Sequence, residues 1–398
     1  MPWKVESAMS QRREFCALAA REGANHAQLC RQFGISRMAG YKWLKRFREE
    51  GAEGLIDRSR RPHQSPGRTA AKVEQAIVSL RDEHPAWGAR KLRARLQALG
   101  QRQLPAASTM QAILTRHGKI DPDESEKHQP WERFERAAPN ELWQMDFKGH
   151  FALSTGERCH PLTILDDHAR FSLGLTACAN EQGETVQTQL TAVFRRYGLP
   201  QRMLMDNGSP WSGGFEEPHS WLTLWLLRLD IGVSHGRPYH PQTQGKEERF
   251  HRTLNAEVLR GRTFASLPDC QQRFDAWREV YNFERPHQAL NMAPPISRYT
   301  VSPRSFPEEL PELDFSPDDI VRKVSAAGDA SFRGQLIRMG KAFRGERVGF
   351  RATLTDGVWS AWYGHHEVGL VDLRVGRRVV PTVVRYAHSR RHNTAAEE

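Results

Sequence analysis

Three short stretches of apolar positions at helical spacing open the chain: Phe15, Leu18 and Ala19, then Leu29 and Phe33, then Tyr41, Leu44 and Phe47. Between them stand explicit helix starts. Asn25 with Gln28 makes a capping-box pattern, and the run Phe33-Gly-Ile-Ser makes a tight turn in which Ser36 can cap the third helix. The pattern predicts a helix-turn-helix over residues 1–57, whose recognition helix starts near Arg37 and carries Arg37, Lys42, Lys45 and Arg46. A plain three-helix bundle with a solvated charged face fits the same periodicity. Residues 58–69, rich in Arg, Pro and Ser, cannot continue a helix, and Arg58, Arg60 and Arg61 suit a phosphate backbone. The helical pattern then repeats over 70–120, with Val73, Ala76, Ile77 and Leu80, then Leu92, Leu96 and Leu99, then Met110, Ile113 and Leu114 behind a cap expected at Ser108. Two such units joined by a basic linker would span an extended DNA site, and residues 121–139 read as a second linker.

From Asn140 the texture changes. Short β-like runs at 142–147, 162–165, 171–176 and 202–205 interleave with helical stretches at 185–197 and 221–229, which predicts an α/β layer domain over residues 140–300. A Pro-rich linker is expected at 301–318. Strand-like runs at 335–339, 346–354 and 367–373, broken by Gly and Asp-Gly turns, predict a small β-barrel over 319–386, with a sandwich as the variant. The polar tail, 387–398, reads as disordered.

Charge sharpens this division. Residues 1–120 hold 23 Lys or Arg against 10 Asp or Glu, a net of +13, so the remainder carries −2 of the total +11. A basic excess concentrated on helical units is the electrostatic footprint of nucleic-acid binding, although charge alone also fits a general polyanion surface. No apolar run reaches membrane-spanning length and no apolar leader follows Met1, so the expected location is the cytoplasm, with the nucleoid as its DNA-bearing part, and no membrane partner. The five cysteines lack close Cys-x-x-Cys pairs, which speaks against both a disulfide framework and a structural zinc site.

Three carboxylates carry the candidate chemistry. Asp146 ends the strand-like run Glu141-Leu-Trp-Gln-Met-Asp, Asp206 opens Asp-Asn-Gly, and Glu248 follows Pro238-Tyr-His-Pro-Gln-Thr-Gln-Gly-Lys-Glu. Two Asp and one Glu are hard oxygen donors of the kind that hold paired Mg²⁺ ions for phosphoryl transfer. Each also has a plainer reading: Asp206 as a turn residue, Asp146 as a solvated strand end, Glu248 as an exposed helix face. The spacing, with 59 residues between the aspartates and 41 before the glutamate, is compatible with a shared site without requiring one. On a helix Glu247 falls with Phe250, Leu254 and Val258 while Glu248 is rotated away, so periodicity alone does not choose between the two glutamates. Asp166 and Asp167 read as a strand end and turn. Lys246, Arg249 and Arg252 flank the site and suit DNA phosphates or a solvated face. The segment His235–Gln244, with its Pro, Gly and Gln, reads as a loop able to close over DNA.

The motifs Leu142-Trp-Gln-Met-Asp-Phe, Asp166-Asp-His-Ala-Arg-Phe, Asp206-Asn-Gly-Ser, Pro238-Tyr-His-Pro-Gln-Thr-Gln-Gly-Lys-Glu-Glu-Arg-Phe-His-Arg-Thr-Leu and Tyr281-Asn-Phe-Glu-Arg-Pro-His-Gln-Ala-Leu occur in this order. In them the chain resembles bacterial insertion-sequence transposases with a retroviral-integrase-like core, the DDE type. The resemblance implies an RNase H-like fold, with Asp146 on the first strand, Asp206 after the fourth and Glu248, three residues after Gly245, on a following helix. It implies two Mg²⁺ ions held by those residues, with Mn²⁺ able to substitute, and no nucleotide cofactor. It further implies binding of double-stranded DNA at element ends and target, metal-dependent cleavage and strand transfer, and a homo-oligomer, dimer or tetramer, on DNA. The position matching Glu247 is more often uncharged in that family. Asn282, Arg285 and His287 match its motif after the catalytic helix, with packing or DNA contact as their expected role. A catalytically inactive DNA-binding regulator derived from such a transposase is the alternative, and a hydrolytic nuclease of the same fold a further one.

Overall fold

The computed structural model describes residues 8–58, 68–120, 135–213, 217, 219–236, 245–376 and 379–380. Arg60, Arg61, nearly all of the expected loop at 235–244 and the expected tail at 387–398 lie outside the described residues. The chain divides into two compact units, Met1–Arg68 and Thr69–Glu398.

In the first unit α1 (Ala8–Ala19), α2 (His26–Gln32) and α3 (Arg37–Glu50) close on Phe15, Cys16, Ala19, Cys30, Leu44 and Leu55. Both expected caps form: Asn25 accepts from the Gln28 N–H at 3.1 Å and Ser36 from the Ala39 N–H at 3.2 Å. The turn between α2 and α3 needs Gly34 at φ +64, and α3 crosses α2 so closely that a Cβ on Gly40 would lie 2.6 Å from Cys30 Sγ. Tyr41, expected inside, is 59 % exposed and instead stacks on His26.

The second unit begins with three more helices, α4 (Ala71–Glu83), α5 (Ala89–Ala98) and α6 (Ala107–Arg116), around Ile77, Trp87, Leu92, Leu96, Met110, Ile113 and Leu114. Two local expectations fail. Ala106, after Pro105, is the residue that precedes α6, with no side-chain cap, so Ser108 lies inside the first turn. Leu99 ends α5 and is 58 % exposed, because the helix stops before it completes another buried turn.

The sheet of the central α/β domain runs β4-β3-β1-β5-β6, with short β2 (Phe151–Ala152) pairing the start of β3. Its strands are β1 (Trp143–Phe147), β3 (Arg158–Asp166), β4 (Ser172–Cys178), β5 (Arg202–Met205) and β6 (Gly232–His235). β3 lies antiparallel to β1 and β4, whereas β1, β5 and β6 are parallel. Side-chain alternation gives the sheet two apolar faces. Leu162, Ile164 and Leu173 pack with α7 (Gly183–Tyr197) and α8 (Trp221–Arg228). Cys159, Leu165 and Leu175 pack on the other side with α9 (Gly245–Leu254) and α10 (Leu267–Glu279). Each of those two helices runs on into a π-helical turn, Asn255–Leu259 and Val280–Glu284. Because β2 intervenes, Asp206 follows the fifth strand in chain order and not the fourth.

The expected linker at 301–318 is tied to this domain. Arg304 donates to the carbonyls of Pro200 and Asp230, and its own carbonyl accepts from Leu199 N. Beyond it, β7 (Ile320–Lys323), β10 (Arg347–Ala352), β11 (Val358–Tyr363) and β12 (His366–Asp372) form a four-stranded antiparallel sheet, and β8 (Asp329–Phe332) with β9 (Gln335–Arg338) a hairpin. The expected barrel is corrected here: among the described residues both sheets are open, and the order leaves β7 and β12 as edges. The hairpin stacks Phe332 on Phe350 at 4.3 Å, and Leu224 and Leu227 of α8 join the same core, so apolar surface is covered by face packing without closure. All five cysteines are free and buried, and no described helix is long and apolar enough to cross a membrane.

Candidate active site

Parallel pairing of β1 and β5 matches Trp143 with Met203 and Gln144 with Leu204. The same register carried two residues further puts Asp146 level with Asp206 at the carboxyl ends of adjacent strands, where α/β sheets present their ligand-binding crevices. Burial pushes the Asp146 carboxyl up to about 7, and the negative charges of Asp206, Glu181 and Glu248 add to the effect against a hydrogen bond from the Phe147 N–H. Asp206 also serves as the turn residue its sequence suggested: Oδ1 accepts from Gly208 N at 3.0 Å, while its carbonyl sits 2.7 Å from His235 Nδ1. Turn and site readings of Asp206 are therefore compatible.

The two glutamates of α9 separate sharply. Glu247 is fully buried with Phe250 and Leu254, while Glu248 is exposed. Burial, with Asp146 second, pushes the Glu247 carboxyl well above its ordinary range. Thr163 Oγ1 on β3 lies 2.9 Å from Glu247 Oε2, 2.9 Å from the Asp146 carbonyl and 2.8 Å from His251 Nε2. A hydroxyl has one hydrogen and two lone pairs, and the carbonyl can only accept. Thr163 donates its one hydroxyl hydrogen toward the Asp146 carbonyl and Glu247 Oε2 and faces His251 Nε2, whose basicity burial lowers to about 4. This knot ties α9 to the backbone of the strand that carries Asp146.

The neighbouring acids are structural. Asp166 accepts from the backbone N–H of Asn140 and Ala169, and Asp167 from Gln144 Nε2, Arg136 N and the ammonium of Lys246. Lys246 is thereby committed to Asp167, and burial brings its pKa down to about 8. Arg249 and Arg252 are exposed on α9. In the first unit Arg37 and Lys42 are exposed, Lys45 pairs with Glu49 and Arg58 with Glu50, and Arg46 donates to the Ile56 carbonyl at 2.8 Å. Asn282 bonds both the N–H and the carbonyl of Ser172 at the start of β4, a packing role. Sequence reasoning missed Glu181, whose Oε1 accepts from His160 Nδ1 at 2.8 Å and whose charge bears on Asp146; no short motif marks it.

The donor set suits a hard divalent cation, since the carboxylates of Asp206, Glu181 and Glu248 bear on Asp146 and their mutual repulsion is what such an ion relieves. Among the described residues no three His, Cys, Asp or Glu side chains converge closely enough to hold a metal as they stand. Asp146 and Asp206 fit as a pair, and Glu248 stands apart from them on the exposed face of α9.

A helical DNA-binding type of unit followed by an integrase-type sheet with paired aspartates defines a class, and comparison with known proteins gives the family. Integrase core domains match residues 136–241 and 229–295, an IS481 family transposase C-terminal domain matches 319–378, a helix-turn-helix domain 12–63 and a homeodomain-like domain 39–114. An uncharacterized protein of insertion element IS136 from Agrobacterium fabrum is 31 % identical over 156 residues, 36 % of this chain and 75 % of that protein. One of insertion element IS407 from Burkholderia multivorans is 30 % identical over 159 residues, 40 % of this chain and 54 % of that protein. The chain belongs to the bacterial insertion-sequence transposases with an integrase-like core. It spans about half the length of the first curated relatives it matches, 54 % and 43 %. Among solved structures, the simian T-cell lymphotropic virus intasome in complex with PP2A regulatory subunit B56 gamma is 14 % identical with a TM-score of 0.34, covering 77 % of this chain and 99 % of that one. The HTLV-2 integrase catalytic core with magnesium is 17 % identical at 0.31, covering 41 % and 99 %.

Proposed function

We propose that this protein is a DNA transposase that binds the ends of its own insertion element, cleaves there and joins the freed end to target DNA. One observation carries the reading: Asp146 and Asp206 stand level on adjacent parallel strands, and Asp146 is half-desolvated among like charges. In this reading Asp146, Asp206 and Glu248 hold two Mg²⁺ ions, which Mn²⁺ can replace, and Glu248 comes inward when DNA is bound. Bound metal supplies Lewis acidity to an in-line displacement at phosphorus. The protein's own part is to fix the aspartates through the strand register and to fix α9 through the Glu247–Thr163–His251 knot. It also presents cations to the phosphate backbone: Arg37, Lys42, Lys45, Arg46, Arg58, Arg60 and Arg61 in the first unit and linker, Arg249 and Arg252 beside the site. Self-association on paired ends and residence at the nucleoid belong to the same proposal.

The test uses labelled duplexes from the DNA flanking the gene, incubated with Mg²⁺ and either the native protein or Asp206→Asn. Nicking at the element end with a joined product, lost in the variant, is the expected result. The exposed position of Glu248 favours one second reading, a DNA-binding regulator without catalysis. Binding of those ends with no breakage by either protein would replace the transposase reading with that one.

A further inference from the structure

Helix α3 sends Gly40 and Leu44 into the core of the first unit, with Trp43 and Phe47 half-buried beside them. Its opposite face carries Met38, Tyr41, Lys42 and Lys45, the i, i+3, i+4 and i+7 spacing of one stripe along a helix. All four side chains are exposed. Met38 is 84 % exposed, more than any other large apolar side chain described in this unit, and Tyr41 follows at 59 %.

The stripe is held in place. Ser36 caps the helix two residues before Met38, and the Tyr41 ring stacks on His26 of α2 with centroids 5.8 Å apart and planes at 23°. That stack restricts the ring before any partner arrives. The cations lean away from the middle of the stripe. Lys42 Nζ lies 5.1 Å from the centre of the Trp43 ring, and the Arg46 guanidinium lies 4.9 Å from it while donating to the Ile56 carbonyl. Lys45 faces Glu49 one turn on, at 3.8 Å. The amino-terminal half of the face is therefore apolar at its centre, with exposed Arg37 and Lys42 on either side. Residues 37–48 carry five cations and no carboxylate.

An apolar centre between cations is the complement of the major groove of duplex DNA, where phosphates form the walls and base edges the floor. The groove is about 12 Å wide and admits a helix, and the apolar group its floor offers is the methyl of thymine. A symmetric contact between two copies of this chain would bring the same cations face to face.

We propose that Met38 and Tyr41 read thymine methyl groups in the major groove at the ends of the insertion element, while Arg37 and Lys42 hold the flanking phosphates. Sequence preference at these positions then comes from two apolar side chains, and the cations supply affinity. The inference rests on the reading that this protein binds the ends of its own element.

The test compares a labelled duplex from the DNA flanking the gene with the same duplex carrying deoxyuridine for thymidine, which removes the methyl and keeps the base pairing. Binding is measured in EDTA, so that no strand is cut. The native protein should bind the uracil duplex more weakly, by about fourfold for each methyl contacted. Met38→Ala should lose about one such factor of preference and Met38→Leu should keep it. Met38→Ala should also keep the native dependence of binding on salt, because no phosphate contact is removed, and the native melting temperature, because the side chain is exposed. Equal binding of both duplexes by the native protein overturns the proposal, as does a native thymine preference in Met38→Ala. A clear drop in the melting temperature of Met38→Ala would make the residue a packing element. A lower sedimenting mass for DNA-free Met38→Ala with native DNA binding would make the stripe a contact between copies, and either result overturns the assignment to DNA. Native protein that binds neither duplex at any salt would instead overturn the end-binding reading itself.

Discussion

Glu247 and Glu248 are neighbours in the chain with opposite environments, and their difference sets the first prediction. Glu247 is buried against Thr163 and burial pushes its carboxyl well above the ordinary range, so Glu247→Gln keeps the shape and hydrogen-bonding reach of the group while removing its charge. Its melting temperature should stay within a few degrees of native and strand cleavage should persist, whereas Glu247→Ala, which empties a buried site, should cost about 2 kcal/mol in a denaturant titration. Glu248→Gln should leave the melt untouched and reduce cleavage at least about a hundredfold, the scale expected when a transition-state charge stabiliser is lost. Loss of cleavage in Glu247→Gln with Glu248→Gln active would exchange the two roles. Asp146 gives a pH signature. Its carboxyl lies near 7 in the fold against an ordinary 3.8, so the folded chain takes up the proton more readily than the unfolded one. The stability linked to that proton is complete below pH 3.8 and is lost as pH rises through 7. Asp146→Asn should therefore raise the metal-free melting temperature more above pH 7 than near pH 4, as calorimetry at both ends would read. The aspartates and Glu248 were legible as short motifs; the burial of Glu247 was half-legible from its place on the apolar stripe of α9, and Glu181 was not legible at all, because its link to the site is spatial.

Several strands were legible as apolar runs and others were missed, β11 among them although its run Val-Trp-Ser-Ala-Trp-Tyr is apolar. β1, β3, β4 and β5 are apolar runs with sharp ends, whereas β6 is four residues beginning with Gly and β7 is half polar, so neither stands out from loop. Tyr41 and Leu99 fit helical stripes yet face solvent, since period says which side of a helix is apolar and not how far the covering surface extends. Asn282 shows an element edge held by a side chain from elsewhere in the chain. Asn282→Ala would take the side-chain acceptor from the buried Ser172 N–H and leave the Ser172 carbonyl only the long contact from Arg278 Nη1 at 3.5 Å, and a loss of about 3 kcal/mol of stability in a denaturant titration is expected. A loss below about 1 kcal/mol would mean water replaces the amide there.

At the scale of the whole molecule, α4–α6 belong to the same compact unit as the central α/β domain, while α1–α3 form their own. A chain beginning at Thr69 should accordingly unfold in one transition within a few degrees of the main native transition. A separate early transition for α4–α6 would show that the Arg95–Glu284 pair and the packing of Val280 do not bind the helices to the core. Sequence alone determined the basic excess of the first third, the two sets of three helices, the α/β order of the centre and the three candidate carboxylates. These are properties of period, spacing and composition, which each stretch of chain carries by itself. Only the tertiary structure decided that Asp146 and Asp206 stand level, that Thr163 meets Glu247 from 84 residues away, that Arg95 pairs with Glu284, and that the C-terminal sheets stay open. Those outcomes depend on which distant surfaces exclude water from one another, and no local pattern encodes that choice.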